Sequence, residues 1–366
     1  MSDDLRDLIG AEVGDRAADW DLTGTLPPEV LRGLSAKGAL CAEVPAAYGG
    51  RGLTGRLNGE LTAYTGALCS SLRSVMTSQG MAAWTIQRFG TRRQRAEELT
   101  RLTEGGLAAV AFSEPQAGSD LSAIGTTIVD DGDDVVLTGH KVWSTAAAYA
   151  DVVVVFGRYR DDAAAVLVPT DAPGVTVRPV PRPLGCRAAG HADVLLDGVR
   201  LPAGRVLSGA SQSLALLTTI ALTYGRLSVA WGCVGIIRGC LRAAASHART
   251  REQFGKPLAQ HQLIARHLSE LVVAEQTATR VCEHAADCWD SRSADLSHAS
   301  VLAKHVAAGQ AAHAASTAVQ VLASAGSVDG EMVARAYRDA KLMQIIEGSD
   351  EICQLILAER ALEGVA

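Results

Sequence analysis

The stretch DVVLTGHKVWSTAAAYADVVVVFGRYRDDAAAVLVP, residues 134–169, decides the architecture. Its segments VVVVF and AVLVP are short, apolar and β-branched, which suits strands on a pleated surface. VTVRPV (175–180) and DVLLDGVRLP (193–202) continue the pattern, and Asp131-Gly132, Pro173-Gly174 and Asp197-Gly198 punctuate it. The reading is an antiparallel β unit, a barrel or sandwich, over residues 108–210.

On both sides the period changes. Before it, LRDLIGAEV (5–13) and EVLRGLSAKGAL (29–40) repeat apolar residues at three and four spacing, with Gly49, Gly50 and Gly52 as a loop. This predicts an all-α unit over 1–107. After it, HQLIARHLSELVVAEQTATRVCEHAADCW (261–289) and VLAKHVAAGQAAHAASTAVQVLA (301–323) read as long helices of a bundle over 211–366. Helix, sheet, then helix bundle is an uncommon order, and it narrows the choice of α+β folds.

Composition excludes several functions. A net charge of -6 argues against a binder of nucleic-acid backbones or anionic membranes. The uncharged run between Arg205 and Arg226 is long enough to raise a membrane span. It carries Ser208, Ser211, Gln212, Ser213, Thr218, Thr219 and Thr223, so a buried helix is expected. Eight scattered cysteines without CxxC predict reduced core thiols and no metal site. The acidic N-terminus has no apolar signal core, and a cytoplasmic protein is expected.

Four segments carry chemistry. AFSEPQAGSD (111–120) offers a glycine for close backbone approach and hydroxyls at Ser113 and Ser119. GHKVWSTAAAYAD (139–151) offers the Trp143 ring and the Thr145 hydroxyl. ARTREQFGKPLAQHQ (248–262) offers Arg251, whose planar head pairs well with a diphosphate. In AYRDAKLMQIIEGSDEI (336–352), Glu347 follows an apolar run and precedes a helix capped by Ser349. A carboxylate in that setting has a raised pKa and can serve as a base near neutral pH.

In order and spacing, these segments resemble the acyl-CoA dehydrogenase family over nearly the whole chain: TEPxAGSD, GxKxWITNxxxAD, YxxxRxxFGxPLxxxQ and RDxRxxxIYEGTxEI. The resemblance implies an N-terminal α-helical domain, a middle antiparallel β-barrel or sandwich domain and a C-terminal four-helix bundle. It implies FAD as cofactor, touched by Phe112, Ser113, Gly118, Ser119, Trp143, Ser144, Thr145 and Ser349. Arg251, Phe254, Gln262 and Gln320 would reach the FAD of a neighbouring subunit, so a homo-oligomer, at least a dimer, is expected. Here Ala323-Ser324 stand where the family carries a Gly pair. Glu347 would be the catalytic base, taking a proton as hydride leaves the substrate. The backbone N–H of the base would help polarise the thioester carbonyl, with Gly348, Ser119 and Arg226 along the substrate. Some family members place the base on an earlier helix; Gly225 in LTYGRLS (222–228) stands there, so Glu347 has no competitor.

CSSLRSVMTSQGM (69–81) resembles a glutaryl-CoA dehydrogenase segment whose Arg-Ser pair receives a distal carboxylate, which would make Arg73 and Ser74 substrate residues. The chain as a whole is similar to the acyl-carrier-protein dehydrogenases that make methoxymalonyl or hydroxymalonyl polyketide extender units. That implies a short polar, glyceryl-derived, three-carbon acyl group on a phosphopantetheine carrier protein. Thr223 stands where many CoA users keep Asp. The proton taken by Glu347 would come from Cα or from an aldehyde hydrate. Two other readings remain open: a catabolic short-chain or dicarboxylyl-CoA dehydrogenase, and a thioester-binding protein without catalysis.

Overall fold

The computed structural model describes residues 2–363; Met1 and residues 364–366, ends of the expected first and third units, lie outside the described residues. The N-terminal layer contains α1 (Ser2–Val13), α2 (Ala17–Thr23), α3 (Pro28–Ala36), α4 (Gly55–Leu68) and α5 (Ser70–Phe89), then the short α6 (Arg92–Gln94) and α7 (Thr100–Thr103). Helix α5 is buried along most of its length although it is rich in polar residues. Burial on this scale requires most of its polar groups to find partners. Gln79 donates to Ser35 Oγ, Leu102 O and Gly106 O and accepts from Ala108 N at 2.9 Å. One amide thus ties the helical layer to the first strand.

The sheet contains β1 (Ala108–Ala111), β2 (Thr127–Asp131), β3 (Asp134–Ser144), β4 (Val152–Tyr159), β5 (Asp162–Pro169), β6 (Val175–Pro179) and β7 (Ala192–Pro202). These strands form one sheet, ordered β1-β4-β2-β3-β7-β6, with β5 on β4. The pairing is mostly antiparallel, but β1 and β2 each run parallel to β4. Sequence reasoning sees strands one at a time, so these two parallel pairings were not foreseen. Asp197-Gly198 is not a turn; it lies inside β7, where the register with β3 shifts as a bulge.

The C-terminal bundle is α8 (Leu214–Thr250), a small hairpin of β8 (Glu252–Gln253) and β9 (Lys256–Pro257), then α9 (Gln262–Ser291), α10 (Leu296–Leu322), α11 (Met332–Met343) and α12 (Asp350–Glu363). Helix α8 is long and apolar enough to cross a membrane, yet 83% of its most apolar window is buried inside the protein. It packs on α4 through glycine: a β-carbon at Gly235 would lie 2.8 Å from Ala67 N. Backbones that close let α8 bury its middle against α4, α5 and α10. The segment between α11 and α12, which carries Glu347, is thereby wedged against α8 and α10.

Candidate active site

The loop Gln344–Ser349 ends α11 and turns into α12. Ser349 caps α12 by accepting from Ile352 N at 3.4 Å. Within it, Glu347 has φ 56° and Gly348 φ 96°. A left-handed glutamate is rare and persists only where its surroundings hold it. Arg226 of α8, itself buried, donates from Nε to Glu347 O at 3.1 Å. The turn aims the carboxyl back at α8, where Gly225 leaves it room. Glu347 Oε2 is shielded from solvent and has no hydrogen-bond partner. Burial pushes its pKa up to about 7, against the opposing pull of Arg226, Lys304 and Arg73. The carboxyl therefore changes charge near neutral pH.

Arg73 of α5 is fully buried. It donates to Thr77 Oγ1 at 3.2 Å and touches Met343 Sδ at 2.9 Å. Its Nε has no partner, and among the described residues no carboxylate pairs with it. Thr77 in turn is 2.7 Å from Ser228 Oγ on α8. The α5–α8 seam near Glu347 is thus lined with polar groups. Ser74, beside Arg73, spends its hydroxyl proton on Ser70 O of its own helix. Thr223 does the same with Thr219 O.

The two segments expected to meet the cofactor are built around a buried ion pair. Lys141 Nζ lies 2.6 Å from Glu114 Oε1 and 3.0 Å from Phe112 O. Burial acts to raise the Glu114 pKa, but hydrogen bonds from Lys141, Thr126 and Gly125 N overcome it and hold the carboxyl well below its usual range. The pair pins the loop at 112–120 onto β3. Gly118 and Ser119 lie exposed on that loop, Ser113 is half-buried, and Ser113 O accepts from Val142 N. The Phe112 ring stacks on Phe156 at 4.3 Å, so its ring is spent on the core.

At the end of β3, Trp143 has φ 56° and is 53% exposed. Next to it, Ser144 Oγ is buried without a partner, and Thr145 Oγ1 lies 3.2 Å from His191 Nδ1. Burial and then the nearby Arg73 charge push the His191 pKa down to about 4, so the ring is neutral. An open indole face beside orphaned polar atoms fits a flat, polar-edged ring such as a flavin. Elsewhere, Arg251, Gln262 and Gln320 are exposed, and Phe254, at the tip of the β8–β9 hairpin, is 95% exposed with φ 52°. All four are accessible on the surface of the chain.

Sequence reasoning missed Thr77, Ser228, His191, Lys304 and the Glu114–Lys141 pair as site residues. Thr77 left a local signal, standing one helical turn after Arg73, and Glu114 and Lys141 each stand at a fixed letter of a quoted motif; Ser228, His191 and Lys304 left none.

A helical layer, a curled sheet and a bundle around a desolvated carboxyl define the class: a dehydrogenase of acyl thioesters. The chain belongs to the acyl-CoA dehydrogenase family and is an FAD-dependent enzyme. Three family domains match it: the N-terminal domain over 1–129, the middle domain over 109–199 and the C-terminal domain over 215–362. It is 31% identical to the probable acyl-CoA dehydrogenase YngJ of Bacillus subtilis, over 98% of this chain and 96% of that one. Among solved structures it is similar to FkbI, described as serving biosynthesis of the methoxymalonyl extender unit of the Fk520 polyketide, with 61% identity, a TM-score of 0.94 and coverage of 98% and 99%. It is also similar to a glutaryl-CoA dehydrogenase of Mycobacterium smegmatis in complex with FADH2, with 27% identity, a TM-score of 0.93 and coverage of 99% and 94%.

Proposed function

We propose that this enzyme oxidises a short, polar, glyceryl-derived three-carbon acyl group carried on an acyl carrier protein, toward a hydroxymalonyl extender unit. The observation that carries the proposal is Arg73: a fully buried guanidinium without a carboxylate partner among the described residues. An unpaired buried cation is costly, and an anion from outside the chain would relieve it. A carboxylate at the far end of a three-carbon acyl group, or one forming there, supplies that anion. The polar seam of Thr77 and Ser228 suits such a group better than an alkyl chain.

FAD, when bound, supplies the two-electron acceptor. Ser113, Gly118, Ser119, Trp143, Ser144, Thr145 and the Phe112 backbone would hold it in one subunit. Arg251, Phe254, Gln262 and Gln320 would reach it from a neighbour, which makes the active unit at least a dimer. Glu347 accepts the substrate proton, from Cα or from a hydroxyl of the aldehyde hydrate. The Glu347 N–H and Gly348 border the thioester, and Arg226 keeps their turn in place. The shielded Oε2 keeps water from competing for that proton. The similarity to FkbI and the Thr223 hydroxyl committed within its own helix support a carrier protein over CoA. Eight free, buried thiols suit the reducing cytoplasm.

The test is flavin reduction in stopped flow with one acyl group presented on its carrier protein and on CoA. The proposal expects a higher kcat/KM on the carrier, eroded by salt. An equal or better rate with the CoA thioester at low salt would restore the catabolic short-chain or dicarboxylyl-CoA reading.

A further inference from the structure

Lys304 lies within α10, two turns in from its start, and is fully buried. The other buried residues of that helix are alanine, valine, serine and threonine, so it is the one charge buried there. An ammonium has three protons to place and no acceptor capacity. Lys304 Nζ donates to Gly348 O at 2.7 Å and to Gln344 O at 3.3 Å. Its remaining side faces Asp350 Oδ1 at 3.7 Å. Both carbonyls belong to the turn that carries Glu347, one before it and one just after it.

We propose that Lys304 is a positioning residue for Glu347: its ammonium clamps the carbonyls that bracket the base and keeps the glutamate in its left-handed turn. This rests on reading Glu347 as the base. The clamp has a second part. Arg226 holds Glu347 O at 3.1 Å from the opposite helix. Asp350 closes the turn, its N–H donating to Gln344 O at 3.0 Å and its carboxylate accepting from Gln344 Nε2 at 3.0 Å. Two cations thus place hydrogen bonds on backbone oxygens at 344, 347 and 348, while Glu347 Oε2 receives none among the described residues.

That division has a chemical use. A cation bonded directly to the carboxylate would hold it ionised and weaken it as a base. A cation held on neighbouring carbonyls still lowers the cost of ionisation through space, and leaves the oxygen free for a proton. Lys304 does both jobs, since its charge is among those that pull against the burial of Glu347. The other groups around the turn are Arg226 on α8, Arg73 on α5, Lys341 on α11, which donates to Gln344 Oε1 at 3.2 Å, and Asp350, Glu351 and Cys353 on α12, with His305 3.6 Å from Asp350.

The experiment compares FAD-loaded wild type, K304M, K304R and E347Q in stopped-flow flavin reduction by an acyl thioester, from about pH 5.5 to about pH 9. K304M is expected to keep FAD and lose about 100-fold in rate through misplacement of the base. Its pH midpoint should rise by about one unit, because one of three nearby cations is gone. K304R should keep the midpoint and lose rate, since a planar head cannot meet both carbonyls as an ammonium does. K304M with wild-type rate and midpoint, beside an inactive E347Q, overturns the clamp and leaves the base reading standing. E347Q that keeps the wild-type profile overturns the base reading, and the clamp with it. If K304M yields no folded enzyme, hydrogen exchange on K304R decides: amides at 346–350 should exchange about tenfold faster than in wild type, and unchanged exchange overturns the proposal.

Discussion

The Glu347 carboxyl lies directly on the α-carbon face of Gly225: a β-carbon built there would collide with Oε2 and sit 2.6 Å from Cδ. The same β-carbon would be 2.8 Å from Met81 Sδ of α5, so a side chain at 225 would be crowded from two sides. Gly225 is thus the seat of the Glu347 carboxyl. Gly225→Ala should overpack this point at a cost of about 1–3 kcal/mol and slow flavin reduction by about 100-fold. Stopped flow and thermal unfolding check both numbers. A wild-type rate would mean the carboxyl works from another rotamer.

The pH dependence follows from burial. With its pKa pushed up to about 7, Glu347 gains base strength as pH rises through that value, and the rate of flavin reduction should rise with it. The stability effect has the opposite sign. The folded pKa lies above the ordinary 4.5, so the stabilising contribution is full below about 4.5 and is lost as pH rises through about 7. Glu347→Gln should therefore raise the Tm more at pH 8 than at pH 5, where the acid is already protonated. A Tm gain independent of pH would contradict a buried, titrating carboxyl.

Arg73→Leu separates an anion receptor from a structural cation. If Arg73 holds a distal or forming carboxylate, the substitution should lower kcat/KM for polar three-carbon thioesters by about 100-fold or more, in line with a buried charge-assisted pair. Butyryl thioesters should lose far less. Equal losses on both substrates would assign Arg73 to packing.

The Glu114–Lys141 pair predicts a defect in cofactor retention. Removing one member of a buried pair leaves an uncompensated charge and costs about 3–5 kcal/mol. Lys141→Met should loosen the loop at 112–120 and lower FAD occupancy, read from the flavin absorbance of the purified protein. Full occupancy with an unchanged Tm would show that the loop is held by its strand contacts alone.

How much of this was legible in the sequence depends on the range of each interaction. The β-branched runs at 152–156 and 165–169 announce strands because their signal is local. Glu347 stands out because an apolar run and a helix cap flank it within a few residues. Lys304 and His191 carry no such mark. Lys304 meets the base turn across about forty residues of chain, and its neighbours on α10 spell an ordinary alanine-rich helix. His191 reaches Thr145 through the β3–β7 pairing, a register no periodicity reveals. Arg73 was visible as a motif, but its full burial without a carboxylate partner, which gives it meaning, belongs to the packing of α5 on α8.

Glu347→Gln, FAD-loaded and mixed with a saturating acyl thioester in stopped flow, tests the central claim. Glutamine keeps the shape of the side chain and cannot accept the proton. The account predicts normal FAD content, retained thioester binding and a flavin-reduction rate lower by several orders of magnitude. A loss of only about tenfold, or about 1.4 kcal/mol of barrier, would mean that another group takes the proton, and would contradict the assignment of Glu347 as the base.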